Sequence, residues 1–213
     1  MARPKILPLF PLTGGLLLPG GLLPLHVFEP RYCNLVRDAL DDHSMMGVIQ
    51  PRTPDPDDNR GAGAEGSVAL YSIGCTGLLD QVQELPKGRY LVILKGLNRF
   101  RLGEELALRD GYRRAEVSYD EFQIDDADVD AEVDARPLLG ALERFGSSQG
   151  LELNMDKLEQ VSGLALMNGL AMNLPFAPAE KQALLEAPDA QCRHSLLLSL
   201  LDMGFAHDNL TTH

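Results

Sequence analysis

The sequence contains little cysteine, and this scarcity excludes two classes of small protein. Its three cysteines, Cys33, Cys75 and Cys192, are far apart, and none belongs to a CxxC pair. A zinc ribbon or a disulfide framework requires a larger set of cysteines at characteristic spacings. We therefore expect reduced, structural thiols, as in a cytoplasmic protein.

An uninterrupted hydrophobic run is also missing. Residues 6–28 are rich in leucine, but four prolines and four glycines interrupt them. A signal peptide needs an unbroken apolar stretch before its cleavage site, and a membrane-spanning helix needs about 20 predominantly apolar residues. The pattern predicts neither export nor insertion into a membrane.

Basic residues are in the minority. The chain has 19 Lys and Arg residues against 31 Asp and Glu residues, which gives a net charge of −12 at pH 7. Most non-specific affinity for nucleic acid comes from neutralising phosphates with basic side chains. Nucleic acid and anionic membrane surfaces are therefore disfavoured as partners.

Motifs that carry catalysis are absent from the sequence. It has no GxxxxGK[ST] phosphate-binding loop, no HExxH motif and no pair of histidines at helical spacing. We predict no catalytic residue, no metal and no cofactor. A hydrolase built on Cys75 or Ser148 is the weakest of the hypotheses that remain.

Two fragments imitate functional motifs. Residues 146–150 fit the GxSxG pattern of a nucleophilic serine, but that motif requires a strand before the serine, and an amphipathic helix precedes it here. We expect a flexible loop between helices. Asp126, Asp128 and Asp130 have the spacing of an EF-hand, but alanine and proline replace the required glycine and glutamate. A solvated acidic segment is expected instead.

The N-terminal part, residues 1–120, has the pattern of a β-barrel with one inserted helix. Proline at residue 30 suits the first position of a helix, and the apolar stripe that follows is Tyr32, Leu35, Val36, Ala39 and Leu40. A long loop is predicted at residues 51–66, and the run at 90–94 suits a strand buried on both faces. The predicted strands are 8–12, 22–28, 45–50, 68–73, 78–85, 90–94, 98–102 and 112–119.

The composition changes after residue 120. Eight acidic residues lie between Asp120 and Asp134, so residues 121–136 are predicted to be an acidic linker. Residues 137–213 have apolar side chains at helical spacing, which predicts a bundle of four helices. The first is predicted to end at Gly146, the second covers residues 158–171, the third covers 179–187, and the fourth begins after Asp189 and ends at Gly204. The predicted class is α+β.

Several segments together resemble a known family. They include LPLFPL at residues 7–12, LLPG at 17–20, LPLHVFEPRY at 23–32, GLNRF at 96–100 and LLEAPD at 184–189. This set resembles the N-terminal domain of the ATP-dependent Lon protease, and most of all the free-standing bacterial proteins made of that domain alone.

The resemblance implies both a fold and a function. The implied fold is a PUA-like pseudobarrel followed by a helical bundle, and the implied function is recognition of polypeptide substrates. In Lon, an ATPase module and a serine–lysine protease module unfold and cleave the substrate. Since these 213 residues contain neither module, we expect a stand-alone, non-catalytic protein.

Two groups of residues are candidates for binding. Proline-rich strands at the edge of a sheet leave backbone groups unpaired, and an extended peptide can add there as another strand, which nominates Leu22, Leu23 and His26. Leu97, Asn98 and Arg99 are expected to be exposed at a turn between strands. The alternative, that the loop at 51–66 simply covers these edges, stays open.

The motif at residues 28–32 is expected to have a structural role. Its members are Phe28, Glu29, Pro30, Arg31 and Tyr32. Because a carboxylate near a helix start and a paired arginine commonly support a helix, Glu29 and Arg31 are expected to hold the first turn against the barrel.

Two functional hypotheses of different class follow. The first is a non-catalytic module that binds unfolded or extended polypeptide segments, as an adaptor for proteolysis or quality control with a protease or ATPase as partner. The alternative is a sensor of a small molecule or nucleotide in a cleft between barrel and bundle. Fold alone does not decide between them.

Overall fold

The computed structural model describes residues 3–52, 68–128, 131–149 and 154–208. Within these ranges the chain forms six strands followed by a mostly helical part. The strands and the helix among them are β1 (Ile6–Pro11), β2 (Leu22–Val27), α1 (Pro30–Leu40), β3 (Met45–Ile49), β4 (Ile73–Leu85), β5 (Arg89–Arg109) and β6 (Tyr112–Ser118). The later helices are α2 (Asp125–Asp128), α3 (Ala135–Gln149), α4 (Met155–Leu158), α5 (Gly163–Asn173), α6 (Pro178–Glu186) and α7 (Ala190–Asp208).

The length of β5 allows the sheet to close on itself. The strand order is β2-β5-β4-β3-β1-β6, and β6 pairs again with β5. The first half of β5 pairs with β2 and β4, and its second half pairs with β6. Five strands therefore form a closed ring of pairings, with β2 attached outside it. Only the β1–β3 pairing is parallel among the described strands.

The inside of this ring is filled around one aromatic side chain. Phe100 on β5 is fully buried, and the cluster around it draws on β1, β3 and β6. Space for the ring comes from glycines on the neighbouring strands. A Cβ atom would lie 2.9 Å from Phe100 Cζ at Gly47 and 2.5 Å from it at Gly74.

The strand predictions were correct in order but wrong in several boundaries. The expected strand at 68–73 is wrong, since only an isolated bridge between Pro51 and Leu70 lies before β4 begins. The predicted strands at 90–94 and 98–102 are parts of the single strand β5. Strand propensity shows where backbone is extended, but the sheet pairing decides where a strand ends. Most of the predicted loop at 51–66 lies outside the described residues.

The helix predictions were best where a local signal marks an end. α1 begins at Pro30 and buries the predicted stripe except Leu40. Asp189 lies before α7, where its Oδ1 accepts a hydrogen bond of 2.7 Å from Cys192 N. The predicted ends at Gly146 and Gly204 are wrong, because α3 continues to Gln149 and α7 to Asp208. Glycine costs about 1 kcal/mol in a helix interior, which packing easily offsets.

The barrel and the C-terminal helices share one hydrophobic core. Leu16, Leu17 and Leu18, between β1 and β2, are buried together with residues from α1, α3, α5, α6 and α7. Polar contacts cross the same seam. Lys181 Nζ donates to Gly14 O at 2.9 Å, and Gln182 Nε2 donates to Ile73 O at 3.1 Å. The helices are therefore fastened to the barrel by both apolar and hydrogen-bonded contacts.

A buried tyrosine on β6 forms a hydrogen bond with α1, and this contact predicts a loss of stability at alkaline pH. Tyr112 donates a hydrogen bond of 2.8 Å to Asp38, and burial, with that bond, raises the pKa of Tyr112 to about 12. Because the folded pKa lies above the ordinary value near 10, the protonated phenol stabilises the fold below pH 10. This contribution is lost as pH rises towards 12. Urea unfolding of wild type and Tyr112→Phe between pH 9 and 11.5 measures it: the variant should lose less stability over this interval. Parallel curves would contradict the assignment.

Among the described residues, no helix has the length and apolar character needed to cross a membrane.

Candidate functional site

Strand β2 lies at the edge of the sheet. It pairs with β5 over Leu22–Val27, and no pairing to its other side occurs among the described strands. An edge strand carries a row of backbone N–H and C=O groups that can pair with another extended chain. The edge of β2 is therefore a site at which a polypeptide backbone can be recognised.

The hydrogen-bond pattern fixes which backbone groups face outward. Gly96 N donates to Gly21 O at 2.8 Å, and Gly96 O accepts from Gly20 N at 2.9 Å, so the backbone oxygen of Gly21 faces β5. Hydrogen-bonded and non-hydrogen-bonded pairs alternate along an antiparallel ladder, and the register is unbroken from there to Val27. The backbone groups of Leu22, Pro24 and His26 consequently point to the open edge. Pro24 has no backbone N–H, and in this orientation the missing donor would face the open edge, where no partner strand is present.

Apolar side chains accompany this open edge. Leu22 is 57% exposed, Phe28 62% and Leu91 42%. Leu91 lies opposite His26 in the β2–β5 register, and the ring centroids of His26 and Phe28 are 5.7 Å apart. We call the exposed set Leu22, Pro24, His26, Phe28 and Leu91 the β2 surface.

The predicted binding residues lie at two different places in the structure. Leu22 and His26 are exposed on the β2 surface, while Leu23 is half-buried on the other side of β2. Leu97 and Asn98 line a cavity at one end of the barrel. Leu91, which the sequence places in a strand buried on both faces, is exposed instead. A contiguous apolar run does not reveal that one of its faces is uncovered, because that depends on the sheet order.

The expectation that Leu97, Asn98 and Arg99 are exposed at a turn is wrong, since all three lie inside β5 and Asn98 is 9% exposed. Arg99 lies inside β5 and is 1% exposed. Its Nη2 is 2.7 Å from Asp125 Oδ1, and its Nε is 2.9 Å from the same oxygen. Asp125 Oδ2 also accepts the backbone N–H of Arg99 at 2.6 Å. The guanidinium is thus a buried, charge-paired group that no client can reach.

The same guanidinium also forms hydrogen bonds with the C-terminal helical part. It donates to the carbonyls of Leu185, Ala187 and Pro188, which end α6 and lead into α7. The prediction of a solvated acidic segment is wrong at Asp125, which is fully buried, and at Phe122, which is 6% exposed. Charge runs are usually solvated, but this one supplies the carboxylate that a buried arginine requires.

The motif at residues 28–32 surrounds the start of α1. Arg31 Nη2 is 2.9 Å from Glu29 Oε2, and its guanidinium carbon lies 4.5 Å from the centroid of the Tyr32 ring. Tyr32 packs against Phe10 of β1 with ring centroids 4.5 Å apart. The contact between Tyr32 and Phe10 connects the first turn of α1 to the barrel, whereas Glu29 and Arg31 pair with each other. Phe28 is exposed and belongs to the β2 surface.

The residues considered as nucleophiles lie on a helix and in the protein core. Ser147 and Ser148 lie on the last part of α3, so the predicted loop is wrong and no strand precedes them. Cys75 is fully buried, and burial raises the pKa of its thiol further from the range of a reactive thiolate. The described residues contain no group of three or more His, Cys, Asp or Glu side chains that could hold a metal ion. Of the EF-hand-like aspartates, Asp130 lies outside the described residues.

The burial of the thiols predicts their order of reaction. Cys192 is exposed and Cys75 is buried, so a thiol reagent at pH 8 should modify Cys192 first and Cys75 only after unfolding. Intact-mass spectra of the native protein, compared with Cys192→Ser and with a sample in 6 M guanidinium, assign each addition. Rapid modification of Cys75 in the native protein would show that its surroundings open.

The comparisons of this sequence with known proteins agree on one family. A family model for the substrate-binding domain of the ATP-dependent protease La (Lon) matches residues 6–203. Lon protease 2 of Myxococcus xanthus is 30% identical over 204 residues, and Lon protease 2 of Sorangium cellulosum is 31% identical over 207 residues. These matches cover 93% and 91% of this chain but 24% of each relative. The chain spans about a quarter of the length of these relatives.

Solved structures give the same result for the fold. A Lon N-terminal domain protein from Xanthomonas campestris is 28% identical with a TM-score of 0.57, over 92% of this chain and 97% of that one. The N-terminal domain of the Mycobacterium avium complex Lon protease has the same TM-score at 18% identity, over 93% and 98% of the two chains. At 18% identity the likeness concerns the fold alone.

Proposed function

Because the chain belongs to the family of Lon substrate-binding domains, we propose that it is a non-catalytic module that recognises extended polypeptide segments. The observation that carries this proposal is the β2 surface, where an open strand edge coincides with exposed Leu22, Phe28 and Leu91. Backbone pairing gives affinity for any extended chain, and the side chains beside it select apolar residues.

The charge of the protein narrows the class of client. A net charge of −12 disfavours acidic segments and favours neutral or basic ones, mainly through the rate of association. We therefore expect clients to be extended segments with apolar residues at alternate positions and few carboxylates. Binding should weaken only modestly with salt, because the contact itself is apolar.

The fold that we propose in finer detail is a PUA-like pseudobarrel followed by a helical bundle. The ring of five strand pairings and the packing of α3, α5, α6 and α7 against one another support it. In a cell we propose a cytoplasmic adaptor that presents clients to a separate ATPase or protease. Affinity purification from the native host tests this role: recurrent recovery of such a partner supports it, and consistent recovery of none argues against it.

Charge introduced on the β2 surface should abolish client binding without unfolding the protein. In Leu22→Asp/Phe28→Asp, two exposed side chains become carboxylates beside the open edge. We expect the affinity for a reduced model polypeptide whose cysteines are blocked with neutral carbamidomethyl groups to fall at least about tenfold, which corresponds to about 1.4 kcal/mol. Fluorescence anisotropy measures the affinity, and a thermal melt verifies the fold.

A matched control comes from the other end of β5. Leu108 is 56% exposed, similar to Leu22 and Phe28, but it lies near the β5–β6 turn. Leu108→Asp adds the same kind of charge and should leave the affinity unchanged. Equal binding by the wild type and the double variant would place the client elsewhere on the protein. An equal loss of affinity in Leu108→Asp would show that only the net charge matters.

A further inference from the structure

A second concave region lies at one end of the barrel, away from the edge of β2. It is a cavity of about 640 Å³, within the range typical of small-molecule sites, which often occur in the mouths of β-barrels. The N-terminal segment, β3, β4, β5, α2 and the chain after β6 all contribute to it. Its lining includes Arg3, Met45, Thr76, Asn98, Tyr119 and Asp126.

Two buried hydroxyl groups give this cavity a polar centre. Thr76 is 2% exposed and Tyr119 is 9% exposed, and Thr76 Oγ1 lies 3.2 Å from Tyr119 Oη. Among the described residues, each side-chain hydroxyl bonds only to the other. A hydroxyl has one donor and two acceptor sites, so this pair retains one free O–H donor and free acceptor sites. Burial raises the pKa of Tyr119, which keeps the phenol protonated at neutral pH.

The rim of the cavity is charged but neutral in sum. Arg3 Nη2 lies 2.6 Å from Asp126 Oδ1, and Asn98 Nδ2 donates to the same oxygen at 3.0 Å. The Arg3 guanidinium also lies 5.7 Å from the centroid of the Tyr119 ring. Arg3 and Asp126 neutralise each other, so a charged ligand would lose hydration here without gaining an unpaired countercharge. The rim therefore favours an uncharged ligand.

Apolar side chains complete the walls. Pro4, Met45 and Leu97 line the cavity beside the polar groups. A ligand that fits this combination is uncharged, has an apolar body, and ends in a head that donates one hydrogen bond and accepts another. The amide group is the common neutral head with both capacities side by side.

We propose that this cavity at the end of the barrel binds a small uncharged molecule that carries an amide on an apolar body. The proposal does not depend on polypeptide binding at the β2 surface. It has a structural consequence, because Asn98 and Asp126 are the sequence neighbours of Arg99 and Asp125. A ligand held against Asn98 and Asp126 stabilises the docking of α2 on β5, and through Arg99 the ends of α6 and α7.

Four probes of nearly equal size test the chemistry of the head group. They are benzamide, benzoate, benzylamine and toluene, added to the protein labelled with ¹³C at the methionine methyl groups. Met45 lines the cavity and reports binding, and Met45→Leu assigns its signal. We expect benzamide to shift the Met45 signal with a Kd on the order of 1 mM, and the other three to bind at least tenfold more weakly.

Two variants separate recognition of the head from simple filling of the cavity. Thr76→Val and Tyr119→Phe keep the shape of each side chain and remove its hydroxyl, so both should weaken benzamide at least tenfold while the other methionine signals stay in place. Leu22→Asp/Phe28→Asp should bind benzamide normally. No shift of Met45 up to 20 mM benzamide, equal binding of toluene, or unchanged affinity in both hydroxyl variants would overturn the proposal.

Discussion

Arg99→Met should lower the free energy of unfolding by about 3–5 kcal/mol, the usual cost of removing one partner from a buried ion pair. Arg99 and Asp125 are 1% and 0% exposed. Methionine has a similar length but donates no hydrogen bond, so the Asp125 carboxylate would remain buried without its countercharge. Three backbone carbonyls, one in the last turn of α6 and two in the connection to α7, would also lose this donor. Urea unfolding followed by circular dichroism measures the change, and the m-value shows whether unfolding remains two-state.

Two further variants decide whether the charge or the packing is responsible. In Arg99→Met/Asp125→Asn no charge is left unpaired, and the asparagine can still accept the backbone N–H of Arg99. The double variant should therefore be more stable than Arg99→Met alone. Arg101→Met is the matched control, because Arg101 lies two residues along the same strand and forms an exposed ion pair with Glu121. Exposed pairs contribute little, so its unfolding midpoint should hardly move. A small effect of Arg99→Met, similar to that of Arg101→Met, would contradict the role assigned to the buried pair.

The sequence predicts the family and the local elements because both depend on residues close in the chain. The motif at residues 23–32 identified the Lon substrate-binding domain family, which is confirmed. Proline at residue 30 and Asp189 marked helix starts correctly, since capping needs only a few neighbouring residues. The glycines at 146 and 204 failed as markers of helix ends, because a single glycine costs only about 1 kcal/mol in a helix interior and does not by itself end a helix.

The candidate sites depend on contacts between distant residues, and these were harder to predict. Arg99 looked exposed because the carboxylate that pairs with it is 26 residues away in an acidic segment. Phe28 and Leu91 were missed as surface residues, since their exposure follows from the position of β2 at the sheet edge.

A usable sequence signal did exist for the turn between β5 and β6. Asp110 and Gly111 have positive φ angles of 47° and 87°, and Asp-Gly is a typical dipeptide of such turns.

The barrel interior gives the other large expected effect. Phe100→Ala should lower the free energy of unfolding by about 3–5 kcal/mol, because it removes a fully buried aromatic ring and leaves a cavity that strand pairing prevents from collapsing. Urea unfolding again measures the change. Phe100→Leu keeps most of the volume and should cost clearly less. An effect of Phe100→Ala below that of Phe100→Leu would mean that the ring is not well packed.

The two glycines beside this ring turn the prediction into a stricter test. The three atoms nearest to a Cβ at Gly47 all belong to side chains, with Phe100 at 2.9 Å and Leu9 at 3.1 Å, whereas a Cβ at Gly74 also meets the backbone oxygen of Val48 at 2.7 Å. Each Gly→Ala variant should therefore be destabilised by about 1–3 kcal/mol when Phe100 is present. In the Phe100→Ala background the cost of Gly47→Ala should largely disappear, because its methyl group then occupies vacated space. The cost of Gly74→Ala should persist, since the clash with backbone does not depend on Phe100. Equal coupling of both glycines to Phe100 in a double-mutant cycle would contradict this packing and place the ring elsewhere in the barrel.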